Sequence, residues 1–181
     1  VKQYAVSQNL PVLQPESLKD EAFQSELRAL GADLQIVVAF RMLPESVWNM
    51  PRLGTFNLHA SLLPQYRGAA PINWAIINGD KETGVTTFFL KHEVDTGDVI
   101  YRDVIAIEEN DNAGSLHDKL MLQGGETVLR TVEAIVNGTV EAVAQDTMFA
   151  TELELRPAPK IFRDTCRIDW SKDVCAVYDF V

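Results

Sequence analysis

Along this chain, stretches with apolar residues every three or four positions alternate with short runs that are apolar throughout or at every second position. Over residues 16–30, Leu18, Ala22, Phe23, Leu27 and Leu30 recur at helical spacing in polar surroundings, between Pro15 and Gly31. Proline before and glycine after is the order in which helices start and stop. Residues 34–40 form a short run rich in branched side chains, which predicts a strand buried on both faces of a parallel sheet. Residues 44–50 predict a short helix ended by Pro51, and residues 55–60 a second strand. In that strand Phe56 and Leu58 fall on one side, Asn57 and His59 on the other. Residues 71–78 predict a helix with proline in its first turn and Gly79 just beyond it. Two further strands follow at 85–90 and 99–107, separated by a loop over 91–98. A long helix is traced by Leu116, Leu120, Val128, Val132, Ile135 and Val136 and closed by Gly138.

Gly124 and Gly125 sit inside that helix, where each costs roughly 1 kcal/mol against alanine. Close approach of the helix to a sheet would compensate. From Thr147 the pattern loosens, and Arg156-Pro157-Ala158-Pro159 interrupts any regular element. Residues 166–170 predict a short extended piece, and the last residues the opening of another helix. Strands alternating with helices predict an α/β fold, Rossmann-like, with a mostly parallel sheet and helices on both faces. Ligands of such sheets bind beyond the carboxyl ends of the strands.

At 181 residues the chain fits one domain with a start on a second, and its 46% hydrophobic content is enough for a core. The expected division is a domain over 1–150, then a linker and the start of a further domain over 151–181. No apolar run approaches the roughly 20 residues of a membrane span, so no membrane partner is expected. The opening VKQYAVSQNL carries no secretion signal and begins with Val1 instead of methionine, which reads as a cut end of a cytoplasmic protein. Cys166 and Cys175 read as free thiols, since their spacing matches no zinc motif. The net charge of −10 argues against a general nucleic-acid binder, and no DNA is expected as a partner.

The chemistry concentrates in two loops. Asn57 and His59, two apart in a strand, point the same way with Cα atoms roughly 7 Å apart. A satisfied core histidine beside a turn asparagine is one reading of the pair. The other follows from what surrounds it. Ser61-Leu62-Leu63-Pro64-Gln65-Tyr66-Arg67-Gly68 leaves the strand as a loop, and Asp95 lies in a second loop just after another strand. An Asn, a His and an Asp at one sheet edge would supply a hydrogen-bond donor, a base and a charge that tunes it. A metal site of His59, His92 and Asp95 competes, but lacks the helical spacing of common zinc sites. A serine hydrolase centred on Ser61 lacks the Gly-x-Ser-x-Gly turn.

Phe56-Asn57-Leu58-His59-Ala60-Ser61-Leu62-Leu63-Pro64 followed by Tyr66-Arg67-Gly68-Ala69-Ala70-Pro71-Ile72 resembles the signature of the 10-formyltetrahydrofolate-dependent formyltransferases. Thr83-Gly84-Val85-Thr86 and Val94-Asp95-Thr96-Gly97-Asp98-Val99-Ile100 resemble the second motif of that family. Pro159-Lys160-Ile161 with Ile168-Asp169-Trp170 is most similar to the branch that formylates methionyl initiator tRNA. Branches acting on sugar nucleotides or glycinamide ribonucleotide, and formyltetrahydrofolate hydrolases, are the alternatives. An inactive folate-binding module is the alternative of another class.

The resemblance implies the formyltransferase fold without its opening βαβ unit. It implies transfer of the formyl group of 10-formyltetrahydrofolate, without a metal, to the α-amino group of methionine on initiator tRNA at the start of translation. Asn57, His59 and Asp95 would be the catalytic residues. Arg41, Met42 and Leu43, the loop Lys91, His92, Glu93 and Val94, and the stretch Ser61, Leu62, Leu63 and Pro64 would hold the folate. Contact with tRNA would lie mainly in regions this chain does not include.

Overall fold

The structure, a computed structural model, describes residues 1–39, 42–148 and 154–181. Its elements in chain order are α1 (Lys2–Ser7), α2 (Glu21–Ala29), β1 (Gln35–Val38), α3 (Glu45–Trp48), β2 (Thr55–His59), α4 (Pro71–Ile77), β3 (Glu82–Phe89), β4 (Val99–Ala106), α5 (Ala113–Asn137) and α6 (Val174–Phe180). Every strand and helix read from the pattern is present, and α1 is an addition. The α2 helix begins later than its apolar spacing suggests, because the Asp20 side chain accepts from the Ala22 N–H and caps it there. Residues 166–170, expected to be extended, form no strand. A turn precedes them, with the Phe162 carbonyl accepting from Thr165 N–H.

The chain folds as two compact units, one of residues 1–35 and 40–55, the other of 36–39 and 56–181. In the first unit Leu53 N–H donates to Asp33 O at 2.7 Å, Gln35 N–H to Gly54 O at 3.2 Å, and the Thr55 hydroxyl to Trp48 O at 2.5 Å. These bonds fold the α3 segment back beside the path into β1.

The second unit carries the sheet, in the order β1-β2-β3-β4. β2 pairs antiparallel with β3, His59 opposite Thr86 and Asn57 opposite Phe88, and β3 pairs antiparallel with β4. The α/β class holds, but the expectation of a mostly parallel sheet is corrected. The β3–β4 connection spans only residues 90–98, short of the dozen or so a parallel crossover needs. β2 and β3 are the strands buried on both faces. β1 was expected to be, yet only Val37 is buried there, while Ile36 and Val38, together on the opposite face, are exposed.

Helices α5 and α4 cover one face of this unit. There Val85, Leu116 and Leu120 form a core with Leu58, Ile72, Ile76 and Ile105 around them. An α5 capping box joins Asn112 and Ser115, and Gly138 ends the helix in the left-handed conformation at φ 67°. The buried stripe runs through Thr127 and Thr131 and leaves Val136 exposed, a rotation away from the purely apolar stripe. The Thr127 hydroxyl lies 2.9 Å from Gln123 O, and that of Thr131 2.7 Å from Thr127 O. Bonded so, both can face the sheet at little cost. Gly124 meets the expected close approach, since a Cβ there would come within 2.8 Å of Leu58 Cδ2, whereas Gly125 has open space around it. The opposite face of the sheet is covered by the loop that follows β2 and by the segment around Met148, which packs with Leu63, Phe88 and Val99.

Candidate active site

β2 delivers Asn57 and His59 to the face away from α5, as the strand's alternation requires. Both are buried, at 3% and 7% exposure, and Asp95 joins them at 5%. The chain after β2 cannot run on as strand. Ser61 Oγ donates to Gln65 O at 2.6 Å, and Leu63 N–H donates to the Thr86 hydroxyl at 3.1 Å. That hydroxyl donates in turn to Ser61 O at 2.6 Å. The Leu63–Pro64 peptide is cis, and the turn brings the Tyr66 carbonyl back over the imidazole. His59 Nε2 lies 2.8 Å from Tyr66 O. A carbonyl can only accept, so Nε2 carries the proton and Nδ1 of the neutral ring keeps its lone pair. Nδ1 faces Asp95 Oδ2 at 3.9 Å, beyond hydrogen-bond length but within strong Coulombic reach.

Asp95 is held by its own partners. Its Oδ2 accepts from Gly68 N–H at 3.0 Å, and its backbone is left-handed at φ 56°. Gln145, 3% exposed, fixes that loop by donating Nε2–H to Asp95 O at 2.9 Å and to Gly97 O at 2.8 Å. Its Oε1 accepts from Arg67 Nε at 3.1 Å and Nη2 at 2.6 Å. One carboxamide thus ties the Asp95 loop to the loop after β2. Asn57 is different. Its Oδ1 is buried and has no hydrogen-bond partner among the described residues. An unpartnered buried amide oxygen costs about 1–3 kcal/mol.

The other expected site residues divide. Ser61 and Leu63 are fully buried, the first bonded inside the turn and the second packed on Phe88 and Val99, so the fold itself occupies both. Pro64 is buried, and Leu62 lies against Gly84. Lys91 pairs with Asp98 at 2.7 Å, Glu93 O accepts from the Thr96 hydroxyl at 3.0 Å, and Val94 is exposed. Met42 is exposed and Leu43 half-buried, while Arg41 lies outside the described residues. Met42 and Leu43 fall in the first unit and the other folate-site residues in the second. His92 is exposed, and no group of three or more His, Cys, Asp and Glu that could hold a metal occurs among the described residues. Tyr66, Thr86 and Gln145 were missed by the sequence reading. Each is one polar residue in an ordinary context, and only the returning loop shows its role.

The site thus joins a buried histidine, a carboxylate facing its Nδ1 at 3.9 Å and a carboxamide whose Oδ1 has no partner among the described residues. The chain belongs to the formyl transferase family, which matches residues 1–132. Among its curated relatives, the methionyl-tRNA formyltransferase of Bacteroides thetaiotaomicron is 70% identical over all 181 residues, and that of Flavobacterium johnsoniae 58% identical over 172. The chain spans about half the length of these relatives, 56% and 53%. Of solved structures, HypX from Aquifex aeolicus in complex with tetrahydrofolic acid is similar at a TM-score of 0.71 and 25% identity, over 87% of this chain and 27% of that one. A sugar 3N-formyl transferase, WlaRD, solved with dTDP and 5-N-formyl-THF, shares the fold at a TM-score of 0.74 and 18% identity, over 99% of this chain and 61% of that one.

Proposed function

We propose that this chain carries the reaction centre of a cytoplasmic enzyme that moves the formyl group of 10-formyltetrahydrofolate onto the α-amino group of methionyl initiator tRNA. The observation that carries the reading is the unpartnered Asn57 Oδ1 on the strand face shared with His59. The names of the relatives at 70% and 58% identity support the choice of acceptor.

The amine attacks the formyl carbon and its nitrogen loses a proton as the carbonyl oxygen gains charge; the tetrahedral adduct then collapses, breaking the bond from the formyl carbon to N10, which takes the proton His59 had accepted and leaves as tetrahydrofolate. His59 Nδ1 is the lone pair positioned to take that proton. The Asn57 carboxamide, turned with its NH2 inward, donates to the oxygen as it becomes an oxyanion. Asp95, 3.9 Å from Nδ1, stabilises the imidazolium that forms. Unit charges about 4 Å apart interact by about 4 kcal/mol at an effective dielectric of about 20. Gly68 N–H, donating to Asp95 Oδ2 at 3.0 Å, holds the carboxylate facing the ring. The site thus needs neither a metal nor a covalent intermediate.

The test offers the full-length protein 10-formyltetrahydrofolate with either charged initiator tRNA or a nucleotide-linked amino sugar, and follows formyl transfer to each. The expected result is transfer to the methionyl amine and none to the sugar. Transfer to the sugar alone would overturn the assigned acceptor, and release of formate without either would mark a hydrolase.

A further inference from the structure

His59 is oriented by a carbonyl, and that carbonyl is oriented by residues far from the reaction. Tyr66 takes the left-handed backbone conformation at φ 60°, which a side chain of its size rarely adopts. It is held there by four hydrogen bonds. Its N–H donates to Arg156 O at 2.7 Å. Its hydroxyl donates to Asp80 Oδ2 at 2.6 Å and accepts from Asn78 Nδ2 at 3.0 Å and from Arg156 Nη1 at 3.1 Å. One donor and two lone pairs are then all in use. Arg156 Nη1 also donates to Asp80 Oδ1 at 2.6 Å, closing a ring of Tyr66, Asp80 and Arg156. Its partner Tyr66 is 4% exposed, and burial first, then the bond to Asp80, pushes the phenol above its ordinary value and keeps it a donor.

The same strap serves Asp95. Ala158, 0% exposed, donates its N–H to Arg67 O at 2.8 Å, and its carbonyl accepts from Ala69 N–H at 2.7 Å. Gly68, whose N–H holds Asp95, lies so close to the Ala158 carbonyl that no Cβ fits between them. Both sides of the His59–Asp95 pair therefore rest on a loop zipped to residues 154–160.

We propose that Arg156 and Asp80, acting through Tyr66, are positioning residues that hold His59 in the Nε2-protonated tautomer and so keep the Nδ1 lone pair on the reacting side. The proposal rests on the reading of His59 as the proton acceptor. The opposite tautomer would set the Nε2 lone pair against the lone pairs of the Tyr66 carbonyl. That repulsion lasts only while the carbonyl stays in place. Freed from Asp80 and Arg156, the tyrosine leaves its strained conformation, and the imidazole relaxes towards the tautomer mixture of a free ring.

The experiment records two-bond 1H–15N spectra of the His59 ring in the full-length protein labelled with 15N-histidine, for wild type, Tyr66→Phe, Arg156→Ala and Arg156→Lys. Formyl transfer to charged initiator tRNA is measured in parallel. Wild type is expected to show a protonated Nε2 and a bare Nδ1. Tyr66→Phe and Arg156→Ala are expected to show averaged nitrogen shifts and a kcat lower by about 10- to 100-fold, the scale of a small misplacement, with KM for the folate little changed. Arg156→Lys, which keeps a cation beside Asp80, restores part of both and is the comparison if the alanine variant fails to fold. An unchanged tautomer in folded Tyr66→Phe, or in Arg156→Ala where it folds, overturns the proposal. A shifted tautomer with undiminished turnover upholds the positioning and overturns His59 as the base.

Discussion

Asn57 spends stability that the fold does not recover. Its buried Oδ1 has no partner among the described residues, a penalty of about 1–3 kcal/mol in a domain whose net stability is only about 5–15 kcal/mol. Phe88, opposite it on β3, offers no hydrogen bond in exchange. Strain of this kind persists where function needs it. Asn57→Leu separates the two roles, since leucine keeps the branched heavy-atom skeleton and needs no partner. The expected outcome is unchanged or higher stability, by up to about 1 kcal/mol in chemical denaturation, with turnover reduced about 10²- to 10³-fold. A loss of stability above about 2 kcal/mol would show that the amide holds the fold together.

At the scale of elements, the helix-on-sheet contact depends on polar groups as much as on apolar ones. Asp103 on β4 accepts from the Thr127 hydroxyl at 2.5 Å and from Arg130 Nη2 at 2.8 and 2.9 Å. Arg130 also stands 4.2 Å over the Tyr101 ring. Burial pushes the Asp103 carboxyl up, but the bonds from Thr127 and Arg130 outweigh it and hold the group below its ordinary value. A carboxyl lowered on folding stabilises above its unfolded value and loses that contribution as pH falls through the folded one. Asp103→Asn should therefore cost about 1–2 kcal/mol near neutral pH, the arginine being half exposed. The difference from wild type should vanish well below pH of about 4. Equal differences at both pH values, read from denaturant midpoints, would remove the charge from the account.

The same elements show what a sequence can carry. Periodicity located every strand and the helices α2 to α6, most plainly α5, whose repeating apolar positions lie near the face it buries. It also placed Asn57 and His59 on one face of β2, since a strand's period of two leaves no other choice. Strand direction was not legible. The apolar run at 34–40 reads the same in a parallel or an antiparallel sheet, and the length of the 90–98 connection was the signal left unused. The stripe of α5 was misplaced for a similar reason. Thr127 and Thr131 look polar in the sequence, but their hydroxyls are satisfied within the helix and at Asp103 and Thr87. Gln145, Tyr66, Asp80 and Arg156 were invisible because their partners are up to 90 residues away.

For the whole molecule, charge limits what this chain can do alone. Acidic residues outnumber basic ones by 26 to 16, giving −10, so the mean field repels a phosphate backbone. The isolated 181-residue chain is expected to bind charged initiator tRNA more weakly than micromolar, and recognition to come from other parts of the protein. Titrations at two salt concentrations, on this chain and on the full-length protein, check it. Specific binding by the chain alone at micromolar concentration or below would place the tRNA surface here. Exposed Ile36 and Val38 on the end strand β1 add a second expectation, since an open apolar edge invites association.

The measurement that bears most directly on the reaction centre is His59→Ala in the full-length protein, followed by formyl transfer from 10-formyltetrahydrofolate to charged initiator tRNA and by folate binding. A positioned general base contributes about 10²- to 10⁴-fold, and turnover should fall by that factor. Folate affinity should stay close to wild type, because His59 is buried at 7% exposure with Nε2 committed to Tyr66 and only Nδ1 free. A variant that keeps more than about a third of the wild-type turnover would make His59 a structural histidine and would contradict the account.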